Sequence, residues 1–383
     1  MTPFAFAAPA RIEIGPGVAR KAPEIAAGLG RRALLVTGAT PARAAWLAEG
    51  LRAAGLAVET VAAAGEPTVA DAERAVAAAR AHGADLVVAI GGGAALDLGK
   101  AAAGLAREAG GPLDHLEVVG KGLPLTADAP PILAIPTTAG TGAEATRNAV
   151  LGAPEHGRKA SLRDARLLPR VALVDPDLLA GSPRAVTLAS GLDAVTQVIE
   201  PYLSRNANPI TDALCRDAIP RGLAALPRLL ERDDAAARAD MALVSLTGGL
   251  ALANARLGAV HGLAGVIGGR TGAAHGAICG RLLPAALAVN EAALAARDPE
   301  NPARARLAEV CGWIAAALGG PPGEAAAALA RWIEAAGLPT LAALGVDPPD
   351  HAAIAAASAR SSSMRGNPLD LTETELSALL ASA

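Results

Sequence analysis

Short β-branched and leucine-rich runs recur through the first half of the chain: Ala33 to Thr37, Val58 to Ala62, Leu86 to Ile90, Ile132 to Ile135 and Val171 to Val174. Runs of this length and β-branched or leucine-rich composition predict buried strands. Alanine-rich segments with helical periodicity separate several of them, Pro41 to Ala54 and Val69 to His82 among them. The alternation predicts βαβ units on a parallel sheet. Beyond Pro183 the strand signal fades, and long segments with apolar residues three and four apart predict a helical bundle. The expected fold class is α/β plus all-α. A Rossmann-like parallel-sheet domain occupies residues 1–180 and an all-helical domain residues 181–383.

Composition narrows the partners. The hydrophobic fraction of 52% is mostly alanine spread along helices. No run approaches the roughly 18 strongly apolar residues of a membrane span. The 34 basic against 37 acidic residues give no electrostatic attraction to nucleic acid or an anionic membrane, and 2% aromatics leave no base-stacking platform. The N-terminus shows no basic stretch before a long apolar run, so cytoplasm is the default location. Cys215, Cys279 and Cys311 fit neither a disulfide framework nor paired metal-ligand spacing, and are expected to be buried free thiols. His82, His115, His156 and His351 stand apart from every motif and are expected on exposed helices or loops.

Three segments carry chemistry. Gly91-Gly92-Gly93-Ala94-Ala95-Leu96-Asp97-Leu98-Gly99-Lys100 follows the apolar run ending at Ile90. Glycines between a buried strand and a helix let backbone NH groups approach a phosphate, and the helix N-terminus adds partial positive charge. Ile135-Pro136-Thr137-Thr138-Ala139-Gly140-Thr141-Gly142-Ala143-Glu144 follows another strand, with hydroxyls and glycines suited to line a nucleotide crevice. In the second half, Asp193 and Gln197 lie four apart on one predicted helix, and His261 and His275 follow at fourteen-residue spacing. Positions four apart share a helical face, so a carboxylate and an amide can point at one ion that two imidazoles complete.

These motifs, with Lys159, LVDPDLL, ASGLDAVTQVIEPYLS, GAVHGLAGVIGG, AAHGAICGRLLP and SSSMRGNP, resemble the iron-containing alcohol dehydrogenase family, within the superfamily of glycerol dehydrogenases and dehydroquinate synthases. The resemblance runs over nearly the whole chain. It implies an active site in a cleft between the two domains, where hydride passes reversibly between a nicotinamide cofactor, NADP or NAD, and an aldehyde or primary alcohol. It assigns Gly38, Thr40, Gly91, Gly92, Gly93, Asp97, Thr137, Thr138, Thr141, Lys159 and Leu178 to the cofactor. It assigns Asp193, Gln197, His261 and His275 to a divalent metal, Fe2+ or Zn2+, that polarises the substrate oxygen.

The chain departs from the family pattern at three places. Gln197 stands where the family has histidine, which removes a nitrogen ligand and predicts weak iron or zinc occupancy. Gly265 stands where many members have a histidine near the nicotinamide, so the proton must come from the remaining imidazoles, His261 or His275, or from ordered water. Gly38 stands where NAD-preferring relatives often carry aspartate; its loss removes repulsion of a 2′-phosphate, and Thr40 and Arg43 can add contacts, so NADP(H), or use of both cofactors, is expected. Arg147, Arg270 and Arg281 are the basic residues considered for an anionic substrate. The Ser361 to Ser363 run with Met364 and Asn367 matches a family segment and is read as a helix terminus. A non-redox, phosphate-substrate relative and a nucleotide-binding protein with lost catalysis are the alternatives, and a homodimer is the expected assembly.

Overall fold

The computed structural model describes residues 3–383, which divide into two compact units. One comprises Ala8–Thr138 and Gly142–Ala180; the other comprises Gly181–Ala383 together with the N-terminal stretch through Ala7 and the tripeptide Ala139–Thr141.

The first unit is built on six parallel strands, β1 (Arg11–Ile14), β2 (Arg32–Thr37), β3 (Ala57–Ala62), β4 (Leu86–Gly91), β5 (Ile132–Pro136) and, after the hairpin β6 (Asn148–Ala153) and β7 (Arg158–Arg163), β8 (Val171–Val174). Their order is β1-β8-β5-β4-β2-β3. The helices are α1 (Ala22–Ala27), α2 (Ala45–Ala53), α3 (Val69–His82), α4 (Gly93–Leu105) and the single turn α5 (Pro112–His115). Strand periodicity of two splits each central strand between two cores. Leu34, Val36, Val87, Ala89, Ile132 and Ala134 join α3 and α4 on one face, while Ala33, Leu35, Val88, Ile90, Leu133 and Ile135 join α1 and α2 on the other. The helices after β2 and β4 therefore cover opposite faces, and these adjacent strands form a topological switch point whose carboxyl ends are the expected ligand crevice.

The five expected strands all form, but β3, expected to be buried, is the far edge of the sheet and is largely exposed, as Glu59 and Thr60 within it require. The edge strand β1 and the β6–β7 hairpin carry no comparable apolar run. In β1 Arg11 and Glu13 alternate with isoleucines; in β6 the burial alternates residue by residue.

The second unit contains α6 (Arg184–Leu203), α7 (Pro209–Glu231), α8 (Ala235–Ala255), α9 (Ala259–Thr271), α10 (His275–Arg297), α11 (Ala303–Leu318), α12 (Ala325–Ala335), α13 (His351–Ser358) and α14 (Glu373–Ser382). By length and composition α8 and α10 are apolar enough to cross a membrane, but most of that surface is buried. α8 packs on α6 and α7, and α10 packs on α6, α9, α12 and α14.

Candidate active site

In the first unit, Gly38 directly follows β2 and lies beside Gly91 at the end of β4. Gly91 has φ of 154°, and a Cβ there would lie 2.6 Å from the Ala95 Cβ and 3.2 Å from the Gly38 nitrogen. Only glycine permits this conformation and this approach of the two strand ends. Gly92 caps α4 with backbone alone, so Gly93 and its neighbour open the helix with NH groups that no side chain claims. Thr137 and Thr138 continue from β5; the Thr137 NH bonds the Gly91 carbonyl and the Thr138 hydroxyl lies against Gly92. Thr40 and Arg43 are exposed on the turn after β2. Lys159 on β7 is ion-paired with Glu66.

Three residues assigned to the cofactor have other engagements. The Asp97 carboxylate accepts the Val150 NH and pairs with Lys100, tying α4 to the hairpin. Leu178 packs against the core between α1, α2 and the sheet. Thr141 falls in the second unit, where its carbonyl accepts from the Gln197 side chain.

In the second unit, α6 presents Asp193, Gln197 and Glu200 at successive turns. The buried Glu200 carboxylate accepts the Val260 NH at 2.7 Å, the His261 NH at 3.4 Å and the His261 Nδ1–H at 2.6 Å. Asn367, from the segment read only as a helix terminus, accepts the Ala259 NH at 3.1 Å. Together they satisfy the first NH groups of α9 and fix the His261 ring with Nε2 facing Asp193. Glu200 has no assigned role in the sequence reading, although its seven-residue offset from Asp193 places it on the same face of α6.

His275 is the first residue of α10 and Cys279 lies one turn on. Gly276 and Gly280 sit on the strip of α10 that meets α6: a Cβ at Gly276 would come within 2.3 Å of the Ala189 carbonyl oxygen, and one at Gly280 within 2.6 Å of Leu192 Cδ1. This close approach brings His275 and Cys279 to Asp193. Asp193 Oδ1 stands 3.4 Å from His261 Nε2 and 3.8 Å from His275 Nε2, and the Cys279 sulfur stands 3.6 Å from His275 Nε2. Cys279, expected to be a buried free thiol, is buried and free, and it lies in this cluster. One ligand atom from each of Asp193, His261, His275 and Cys279 lies within 4.8 Å of the others.

The arrangement fits a cation. Asp193 Oδ1 and His261 Nε2 are buried and face one another without an aligned hydrogen bond. A buried polar atom left unpaired costs about 1–3 kcal/mol, which a shared cation would remove. Charge agrees. Burial disfavours the charged form of His261, yet Cys279, Glu200 and Asp193 outweigh it and hold the ring well above its ordinary value. Burial likewise opposes charge on His275, and Cys279 and Asp193 raise it. The cluster draws positive charge to itself.

Gln197 is buried with its Nε2 donating to the Thr141 carbonyl. Gly265 leaves open space, with no atom within 4 Å of where a Cβ would stand. Arg281 donates to the Leu338 and Pro339 carbonyls, and Arg270 pairs with Asp350, so both are engaged within the fold; Arg147 is exposed on the first unit. His115, expected on the surface, is buried with Nδ1 3.0 Å from the Leu123 carbonyl.

A doubly wound sheet with glycine-rich strand ends at its switch point, and a helical unit with a buried carboxylate–imidazole cluster, are the parts expected of a dinucleotide-dependent oxidoreductase. Comparison with known proteins agrees: residues 9–176 match the family model for iron-containing alcohol dehydrogenase and residues 187–383 match that of the Fe-containing alcohol dehydrogenase family, C-terminal. The chain belongs to the iron-containing alcohol dehydrogenase family. It is similar to the phosphonoacetaldehyde reductase of Streptomyces viridochromogenes, 37% identical over 323 residues, 82% of this chain and 80% of that protein. It is also similar to the 4-hydroxybutyrate dehydrogenase of Cupriavidus necator, 36% identical over 230 residues, where the match spans 58% of this chain and 60% of that protein. A crystal structure of 1,3-propanediol oxidoreductase superposes with a TM-score of 0.88 at 31% identity, covering 99% of each chain. The enzyme class is that of NAD(P)-dependent alcohol dehydrogenases and aldehyde reductases.

Proposed function

We propose that this enzyme reduces a small uncharged aldehyde with NADPH, assisted by a divalent cation held at Asp193, His261 and His275. The observation that carries this reading is the pair of unpartnered buried atoms, Asp193 Oδ1 and His261 Nε2, facing each other at 3.4 Å beside His275. When bound, the cation supplies Lewis acidity to the carbonyl oxygen and the nicotinamide supplies the hydride.

The protein's own residues provide the rest. Glu200 keeps the proton of His261 on Nδ1, leaving Nε2 free to ligate. Asp193 and the two imidazoles must then be unprotonated, so neither histidine serves as the proton donor while it ligates. The open space at Gly265 favours water as that donor. The absence of a carboxylate at Gly38, with Arg43 exposed nearby, supports NADPH over NADH. An uncharged substrate is favoured over an anionic one such as phosphonoacetaldehyde because Arg270 and Arg281 are spent within the fold.

The test is initial-rate reduction of propionaldehyde, butyraldehyde and phosphonoacetaldehyde by NADPH and NADH, with chelated protein and with Fe2+, Zn2+ or Co2+ restored. Metal-dependent oxidation of NADPH with the uncharged aldehydes is expected. Turnover unaffected by chelation removes the metal from the reading, and a preference for phosphonoacetaldehyde overturns the substrate class.

A further inference from the structure

We propose that Cys279 is the fourth protein ligand of the cation, so that the centre is Asp193, His261, His275 and Cys279, without Gln197. The inference rests on the metal-assisted reading above.

Four observations carry it. The first is distance. Bonds of about 2.0–2.3 Å to a tetrahedral ion set its ligand atoms roughly 3.3–3.8 Å apart. The observed separations of 3.4, 3.6 and 3.8 Å lie in that range, and the widest in the set, within 4.8 Å, needs closing by only about 1 Å. The second is how the helix is seated. Cys279 shares a face of α10 with His275, and the glycines at 276 and 280 press that helix onto α6 beside Asp193.

The third observation is the state of Gln197. Its Nε2 is committed to the Thr141 carbonyl, and its side chain lies against Gly248, where a Cβ would come within 3.3 Å. That leaves Gln197 only a neutral amide oxygen to offer, a weak donor for a borderline metal, whereas a thiolate is a strong one. The fourth is charge. The Asp193 carboxylate and one thiolate cancel a dication in a buried centre, which an aspartate and an amide do not. The imidazole that the resemblance places at position 197 is thus replaced by a thiolate reaching the same ion from another helix. The centre is expected to favour Zn2+ or Co2+ over oxygen-preferring ions such as Mg2+.

The experiment is cobalt substitution of the full chain after chelation. One equivalent of Co2+ is expected to produce a near-ultraviolet thiolate-to-cobalt charge-transfer band. Cys279→Ser should abolish the band and weaken Zn2+ binding at least tenfold in competition with a chromophoric chelator. Gln197→Ala should retain the band. The double variant Gln197→His with Cys279→Ala should bind cobalt without it, which separates loss of the ligand from loss of the fold. Stoichiometric cobalt binding with no thiolate band, or a band that survives Cys279→Ser, overturns the proposal while leaving the metal-assisted reading in place. Absence of any cobalt binding, together with NADPH-dependent turnover insensitive to chelation, overturns both.

Discussion

Glu144 is buried at 1% exposure with Oε1 unpartnered, and burial pushes its carboxyl up to about 7. Lys100, fully buried beneath the hairpin, opposes that rise only in part, because its ammonium is taken by Asp97 at 3.1 Å, the Thr146 hydroxyl at 2.8 Å and the Asn148 carbonyl at 2.7 Å. An ammonium has three donors, so none remains for Glu144. Two buried carboxylates and one cation are best neutralised by leaving a proton on Glu144. Its folded value exceeds its ordinary value of 4.5, so the folded state binds the proton more tightly. The associated stability is fully present below about pH 4.5 and is lost as pH rises through about 7. Glu144→Gln keeps the shape and removes the titration. Denaturant unfolding should show the variant gaining on the wild type between pH 5 and pH 8, by at most about 3 kcal/mol. Parallel stability profiles over that range would mean that Glu144 titrates alike in the folded and unfolded chains.

The cation cluster is assembled by how α10 meets α6, and Gly276 is the contact that permits it. A methyl group there would sit 2.3 Å from a backbone oxygen that cannot rotate away, so the helices must separate. Gly276→Ala should cost about 1–3 kcal/mol of stability and weaken Zn2+ binding at least tenfold, while nucleotide binding in the other unit is preserved. Gly312→Ala, in α11 with nothing within 4 Å of its Cβ, should instead stabilise by up to about 1 kcal/mol. Equal Zn2+ affinity in Gly276→Ala and the wild type would show that the seating of α10 does not define the centre. The same helices mark how far the sequence can be read. Spacing of four on one helix face identifies Asp193 with Gln197, and applied again it reaches His275 with Cys279. Spacing of seven reaches Glu200. What spacing does not give is depth: close contact at Gly276 and capping of α9 by Asn367 depend on residues far apart in the chain. The buried strands β2, β4, β5 and β8 declare themselves by continuous apolar runs, β3 at the sheet edge shows only a β-branched run broken by Glu59 and Thr60, and β1 and the β6–β7 hairpin lack that signal.

Across the whole molecule the proposed chemistry is divided: the helical unit carries the Asp193–His261–His275 cluster, and the sheet unit carries the residues proposed to choose the nucleotide. That decision is concentrated where β2 ends. Gly38 has an ordinary negative φ and nothing within 4 Å of a Cβ, so a side chain can be added without strain. A carboxylate at this position would accept a bond from the ribose 2′-hydroxyl of NADH and repel the 2′-phosphate of NADPH. The Arg43 side chain, exposed and without an ion pair or hydrogen bond among the described residues, is free to meet that phosphate in the wild type. Gly38→Asp should therefore lower kcat/KM for NADPH at least tenfold, about 1.4 kcal/mol of transition-state binding, and raise that for NADH. Arg43→Ala should lower the NADPH value alone. The substitutions leave the cation cluster untouched, so Zn2+ affinity should stay at the wild-type value in both, and the change should fall on the cofactor term of the rate law. A wild-type enzyme that already favours NADH tenfold, or a Gly38→Asp variant with unaltered cofactor ratio, would mean that the end of β2 does not choose the nucleotide.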